Sequence, residues 1–144
     1  MPTFPYVVSA CLVGFAVRYD GRSKYVAALG ELFKAGKCLP ICPECLGGLG
    51  VPRLPCELLH GRVLRRDGVD VTKFFEEGVR LAIQKTKACQ AKIAIVQNRS
   101  PSCGCGLVYD GTFSGSLIKG HGLWTHALLV HGITVYPWEN FAVD

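Results

Sequence analysis

The sequence predicts an α/β protein with an open, mostly parallel sheet flanked by helices. Short apolar runs rich in β-branched residues alternate along the chain with longer amphipathic stretches. Strands that alternate with helices are joined by right-handed crossovers and form a parallel sheet. The chain has 144 residues, the usual length of one domain, and neither a linker nor a repeat interrupts it. We therefore expect 1–144 to form a single domain.

Four of the apolar runs are typical of buried strands, because they are short and carry aliphatic side chains almost throughout. A segment rich in basic residues, 58–69, is expected to form a small hairpin inserted beside the main sheet. The fold class is then a Rossmann-like open sheet with a hairpin insertion. The predicted core strands are 6–9, 38–41, 93–96 and 133–136.

The helices are predicted from apolar side chains that recur on one face of each amphipathic stretch. Polar residues before a stretch and glycines after it indicate where a helix begins and ends. The segment between the third core strand and the last helix is expected to be a loop. The predicted helices are 24–34, capped by Ser23, a long helix from Asp70 or Thr72 to about Gln90, and 123–130.

The composition indicates a compact protein of a reducing compartment. Hydrophobic residues make up 49% of the chain and charged residues 19%, as in globular proteins and unlike disordered ones. Eight cysteines in 144 residues fall below the cysteine density of a small disulfide scaffold, and the first residues lack the pattern of a secretory leader. No apolar segment is long enough to span a bilayer. We therefore expect a cytoplasmic enzyme that does not enter the membrane.

The chain is basic, with a formal net charge of +5 from 16 Lys and Arg against 11 Asp and Glu. Excess positive charge favours an anionic partner, so RNA is one of the partners left open. Most of the basic residues are scattered, and the one dense group, 62–66, falls in the expected hairpin. Such a distribution is most often a solvated face, and charge alone specifies no partner.

Three cysteines follow predicted strands at similar positions: Cys11, Cys42 and Cys103. The carboxyl ends of parallel strands converge on one crevice, and ligands of open α/β sheets bind there. Three thiols delivered to that crevice from separate loops indicate a shared metal or iron–sulfur site.

Two further cysteines leave other interpretations open. Cys45 forms a Cys-x-x-Cys with Cys42, and Cys105 forms a Cys-x-Cys with Cys103. These pairs are compatible with a thioredoxin-like redox pair, a structural zinc site or inert buried thiols. A thioredoxin-like pair begins a helix, whereas Pro43 and the glycines that follow it predict a loop.

Polar residues beside these cysteines favour a reactive site over a purely structural one. Glu44 lies two residues after Cys42, and Ser100 and Ser102 precede Cys103. A carboxylate in this position can act as a general base and then as an acid. Each residue is also common in caps and turns, but their coincidence at separate strand ends is not expected of structural thiols.

Motifs from the first strand to the last helix occur together in the order of one known family. On these motifs the sequence resembles the thiouracil desulfidase family, formerly a bacterial domain of unknown function. The motifs are Ser9-Ala10-Cys11-Leu12-Val13-Gly14, Arg18-Tyr19-Asp20-Gly21, Cys42-Pro43-Glu44-x-x-Gly47-Gly48-Leu49, Pro52-Arg53, Gly68-x-Asp70-Val71-Thr72, Ser100-Pro101-Ser102-Cys103-Gly104 and Tyr109-Asp110-Gly111-x-Phe113.

The resemblance implies a 4Fe-4S cluster whose protein ligands are only Cys11, Cys42 and Cys103. The fourth iron of such a cluster is open to the sulfur of the substrate. The implied reaction is a non-redox cleavage of a C–S bond, of the lyase or hydrolase type. In it, 2-thiouracil and water give uracil and hydrogen sulfide.

Roles for the polar residues follow from this implied chemistry. Glu44 is expected to act as general base and later as acid, and Ser102 to contact the substrate. The resemblance assigns Ser100 a catalytic hydrogen-bonding or proton-relay role. Two alternatives stay open: a desulfidase of thiolated nucleosides or transfer RNA, and a non-enzymatic metal or iron–sulfur binding module.

Overall fold

The structure is a computed structural model that describes residues 2–142. No helix in this range is both long enough and apolar enough to cross a bilayer. The strands are β1 (Tyr6–Ser9), β2 (Cys38–Ile41), β3 (Cys56–Leu59), β4 (Arg62–Arg65), β5 (Ile93–Val96), β6 (Leu107–Tyr109), β7 (Leu117–Lys119) and β8 (Thr134–Pro137). The helices are α1 (Ala27–Lys34), α2 (Pro43–Leu46), α3 (Thr72–Ala88) and α4 (Leu123–Val130), with 3-10 turns at Ala10–Val13 and Trp138–Asn140.

The central sheet has four strands in the order β2-β1-β5-β8, and every neighbouring pair is parallel. The predicted open parallel sheet flanked by helices is therefore confirmed. The register pairs Ser9 with Ile41 and Val8 with Ile95, so β1, β2 and β5 end at nearly the same level. This common level places the segments that follow these strands beside one another.

Two antiparallel hairpins lie outside the central sheet. The expected hairpin is formed by β3 and β4. A second hairpin, formed by β6 and β7, lies in the segment that was predicted to be a loop. Its signal in the sequence is Asp110-Gly111, a dipeptide typical of hairpin turns, but the flanking strands have only three residues each. Such short strands leave little periodicity to detect.

The two central strands, β1 and β5, are buried on both faces of the sheet, whereas the edge strand β8 is partly exposed. Successive side chains of β1 point to opposite sides. Val7 belongs to a core cluster that also contains Trp124 and Leu128 of α4. Val8 belongs to a second cluster with Leu29 of α1. Burial on both faces explains why the core strands are continuous apolar runs rather than alternating ones.

Helices α2 and α3 cross with their backbones in contact. A Cβ atom on Gly78 would overlap the carbonyl oxygen of Pro43, and one on Gly47 would overlap that of Phe74. Only glycine permits this approach, so the pair of glycines fixes α2 against the long helix. The segment that begins at Cys42 thereby receives a rigid support.

The prediction of a loop around the Cys-x-x-Cys segment is wrong, because this segment forms α2. Cys42 is the N-cap residue and Pro43 occupies the first turn of the helix. The fixed φ of proline suits the first helical position, where its missing N–H is not needed. Gly47 follows the last residue and ends the helix.

The predicted start of the first helix is also wrong. The helix α1 begins at Ala27, and its N-cap is Val26 rather than Ser23. The residues before it are engaged elsewhere: the Lys24 N–H donates to the carbonyl of Cys11 at 2.9 Å. Backbone pairing with the turn after β1 thus replaces the first helical turn.

Candidate functional site

A cavity of about 630 Å³ opens at the carboxyl ends of β1, β2 and β5. Small-molecule sites have volumes of roughly 300–1,000 Å³ and lie at this edge of open α/β sheets. Every catalytic, substrate-binding or metal-ligand candidate named from the sequence lines this one cavity. These residues are Cys11, Cys42, Cys103, Glu44, Ser100 and Ser102.

Three thiols reach the cavity from three adjacent strands. Cys11 lies in the 3-10 turn after β1, Cys42 caps α2 after β2, and Cys103 lies in a turn after β5. Among the described residues, Cys45 and Cys105, the second members of the two close pairs, do not line the cavity. Cys105 instead packs against the core cluster of α3 and α4. Only the first member of each pair therefore lines the cavity.

Burial keeps these thiols protonated when nothing is bound to them. Burial, and then the proximity of Cys103, raises the pKa of Cys11 to about 12. Burial raises the pKa of Cys103 to about 11, although hydrogen bonds from Ser9 and Ser102 oppose the shift. Burial and the charge of Cys103 likewise raise the pKa of Cys42. A thioredoxin-like pair needs a lowered thiol pKa, so this environment disfavours that interpretation.

The arrangement of the thiols bears on the kind of metal group that fits. Within residues 2–142, no three His, Cys, Asp or Glu side chains are arranged to hold a metal ion. Three thiols from separate strand ends, of which Cys11 and Cys103 are buried and Cys42 is half-buried, suit a larger group such as an iron–sulfur cluster, whose usual ligands are cysteine thiolates.

Glu44 lies at one end of a short hydrogen-bonded chain of hydroxyl groups. The Ser102 Oγ donates to Glu44 Oε2 at 2.7 Å. The Ser100 Oγ lies 3.4 Å from the Ser102 Oγ and accepts the backbone N–H of Cys103 at 2.7 Å. Ser102 therefore contacts the carboxylate directly, whereas Ser100 reaches it only through Ser102.

Arg53 holds the other oxygen of this carboxylate. Its Nε and Nη2 atoms lie 3.1 and 3.0 Å from Glu44 Oε1, and the two side chains are only 9% and 13% exposed. Arg53 Nη2 also donates to the carbonyl of Val17 at 3.0 Å. Burial opposes the charge of Arg53, but the attraction of Glu44, together with that of Cys42 and Cys45, outweighs it and raises the pKa of the guanidinium. The guanidinium therefore stays charged, and its contacts fix the carboxylate of Glu44 in orientation.

Sequence reasoning assigned Arg53 no place at the site. In the sequence, Arg53 is marked only by the motif Pro52-Arg53, and this motif is too short to indicate which residue Arg53 contacts. Glu44 and Arg53 are nine positions apart, and their meeting depends on the loop after α2.

One wall of the cavity is the turn between β6 and β7. Glu57 of β3 is 8% exposed, and its Oε1 accepts the backbone N–H groups of Gly111 and Phe113 at 3.0 and 3.1 Å. Phe113 lines the cavity and has a φ of 56°, in the left-handed region that residues other than glycine seldom adopt. The carboxylate of Glu57 thus holds an aromatic side chain in place at the cavity.

Removal of this carboxylate should loosen the turn. In Glu57→Ala the amides of Gly111 and Phe113 lose their acceptor, and we expect a loss of stability on the order of 1–3 kcal/mol. Hydrogen exchange measured by mass spectrometry should become faster in 110–116 and stay unchanged in α3. Glu57→Gln, which keeps an acceptor oxygen, is the matched control. Equal exchange of this turn in Glu57→Ala and in the unaltered protein would contradict the role of Glu57.

Comparisons with known proteins agree over nearly the whole chain. The sequence matches the 2-thiouracil desulfurase family over residues 6–140. An uncharacterized protein of Bacillus subtilis (strain 168), YbbK, is 37% identical over an alignment of 133 residues, and the match covers 85% of this chain and 87% of YbbK. A solved structure of the 4Fe-4S-dependent thiouracil desulfidase TudS superposes with a TM-score of 0.90 at 39% identity. That alignment covers 98% of this chain and 93% of TudS.

Proposed function

The chain belongs to the 2-thiouracil desulfurase family, and on that basis we propose that it is a 4Fe-4S-dependent desulfidase that converts 2-thiouracil and water into uracil and hydrogen sulfide. The main observation behind the proposal is that three thiols and the bonded pair Glu44–Ser102 line one cavity. The cofactor and the substrate class follow from the similarity to TudS.

We assign the cluster to Cys11, Cys42 and Cys103. Three thiolates for four irons leave one iron without a protein ligand, and a cluster bound in this way supplies a thiophilic Lewis acid for the sulfur of the substrate. The thiols release their protons when they bind the cluster, since only thiolates act as ligands.

Glu44 takes the proton of the attacking water. The water oxygen forms a bond to the carbon that carries the sulfur, and the C–S bond breaks as the new hydroxyl group loses its proton and becomes the carbonyl. Both protons of the water pass by way of Glu44 to the departing sulfur, which leaves as hydrogen sulfide. Oxygen replaces sulfur at the same oxidation state of carbon, so the reaction needs no electron donor. Ser102 donates to the carboxylate and orients it, and Ser100 relays protons through Ser102. Arg53 keeps the carboxylate in one position beside the substrate.

Anaerobic purification followed by a turnover assay tests the proposal. The purified protein should contain about four iron and four sulfide per chain, as the composition of one such cluster requires. On incubation with 2-thiouracil and no reductant, it should release uracil and sulfide in equal amounts. A cluster-loaded protein that releases neither would be a binding module rather than an enzyme. A need for one reductant equivalent per turnover would contradict the hydrolytic reaction.

A thiolated nucleoside or transfer RNA is a second candidate substrate, because cations surround the cavity. Arg18, Lys24, Arg66 and Arg99 line it, and none of them forms a salt bridge within residues 2–142. Such groups attract phosphate, and salt screens that attraction. If RNA is the substrate, thiolated transfer RNA should react faster than 2-thiouracil at low salt, and added salt should remove the advantage.

A further inference from the structure

Two hydrogen bonds hold the side chain of Gln97 at the cavity, and a third holds its backbone. Gln97 follows β5, is half-buried and lines the cavity. Its backbone N–H donates to the Ser9 Oγ at 2.9 Å. Its Oε1 accepts the backbone N–H of Asn98 at 2.9 Å and the indole N–H of Trp138 at 3.2 Å. The amide therefore has little freedom to rotate.

These contacts also determine which terminal atom of the Gln97 amide is the oxygen and which is the nitrogen. An indole N–H and a backbone N–H are donors only, so the atom that accepts both must be the oxygen of Gln97. The other end is then the NH₂ group, with two donors. No acceptor among residues 2–142 takes a hydrogen bond from it. Gln97 thus brings an oriented, unused donor to a cavity that also contains the three thiols and Glu44.

We propose that the Gln97 NH₂ group is a specificity-determining contact that donates to the carbonyl oxygen of the thiolated base. This inference rests on the proposed function and names the substrate class more narrowly. 2-Thiouracil carries a carbonyl oxygen on the ring besides its thiocarbonyl group, and that oxygen can accept from an amide NH₂. 2-Thiocytosine has the same thiocarbonyl group, but an amino group replaces the carbonyl oxygen. Two donors would then face each other, so the site selects the keto base over the amino base.

Trp138 is a positioning residue in this arrangement, since it acts through Gln97. Its indole N–H binds the amide oxygen, and Lys24 lies 5.6 Å from its ring centroid. Trp138→Phe keeps an aromatic ring but removes the N–H. We expect this change to weaken the selection between bases while the visible spectrum of the cluster stays the same.

The test compares two pairs of bases in which a keto group with an adjacent N3–H is exchanged for an amino group with an adjacent N3 acceptor. In cluster-loaded protein, the kcat/KM for 2-thiouracil should exceed that for 2-thiocytosine by on the order of 10- to 100-fold, the effect of mismatched polar groups in a binding site. Calorimetry should show the same order for binding of uracil and cytosine, a readout that involves no turnover. Gln97→Glu replaces the donor by an acceptor, and it should reverse both the kinetic preference for 2-thiouracil and the binding preference for uracil. Gln97→Leu removes the polar group and should abolish the two preferences.

Gln84→Glu is the matched control, because it makes the same change on the exposed surface of α3. It should leave both preferences unaltered. If Gln97→Glu and Gln97→Leu retain the cluster and the original preference, the inference is wrong while the proposed function stands. If the unaltered protein carries a cluster but neither binds nor converts any of these bases, the proposed function is wrong and the inference with it.

Discussion

Replacement of Cys11, Cys42 or Cys103 by alanine is expected to abolish cluster binding, and activity with it. Each thiol lines the cavity at the end of a different strand. Cysteine thiolates are the bonds between the protein and the irons, and the loss of one leaves a second iron without a protein ligand. The expected result is a colourless protein after anaerobic purification, with iron and sulfide close to zero.

Two kinds of control separate loss of a ligand from loss of folding. Cys38→Ala and Cys89→Ala remove buried thiols that are not among the residues lining the cavity, and they should keep the full cluster. Cys45→Ala and Cys105→Ala should keep it as well. If Cys45→Ala lost the cluster and Cys42→Ala retained it, our choice within that pair would be wrong.

Glu44→Gln is expected to keep the cluster and to lower turnover by on the order of 10²-fold or more, the usual effect of removing a general base. Glutamine has nearly the same size, and its amide can still bond to Ser102 and Arg53. The change therefore removes the basic carboxylate and leaves the shape of the site intact. Turnover of 2-thiouracil, measured at equal cluster content, gives the result.

The control for this variant is Glu77→Gln, which breaks another Arg–Glu pair through the same change of charge. Glu77 pairs with Arg80 on the exposed face of α3, away from the cavity. Turnover of this variant should be unchanged. A Glu44→Gln protein that has an intact cluster and works at a nearly normal rate would refute the role of Glu44 as a base.

The family and the class of fold were predictable from the sequence, and both predictions are confirmed. The core strands were predictable because their apolar runs reflect burial on both faces of a sheet, a property that local sequence encodes. The short helix after Cys42 and the hairpin of β6 and β7 were not, since neither is long enough to show a period. The roles of the site residues stay predictions until the variants are measured.

Sequence reasoning alone led to a cavity at the strand ends, because parallel strands bring the residues that follow them to one edge of the sheet. That rule specifies a neighbourhood but no contacts within it. Only the tertiary structure shows that Ser102 lies between Ser100 and Glu44, that Arg53 pairs with Glu44, and that Trp138 orients the amide of Gln97. The partners in these last two contacts lie nine and 41 positions apart. Their distances depend on how loops and helices pack together, and local propensities carry no record of that packing.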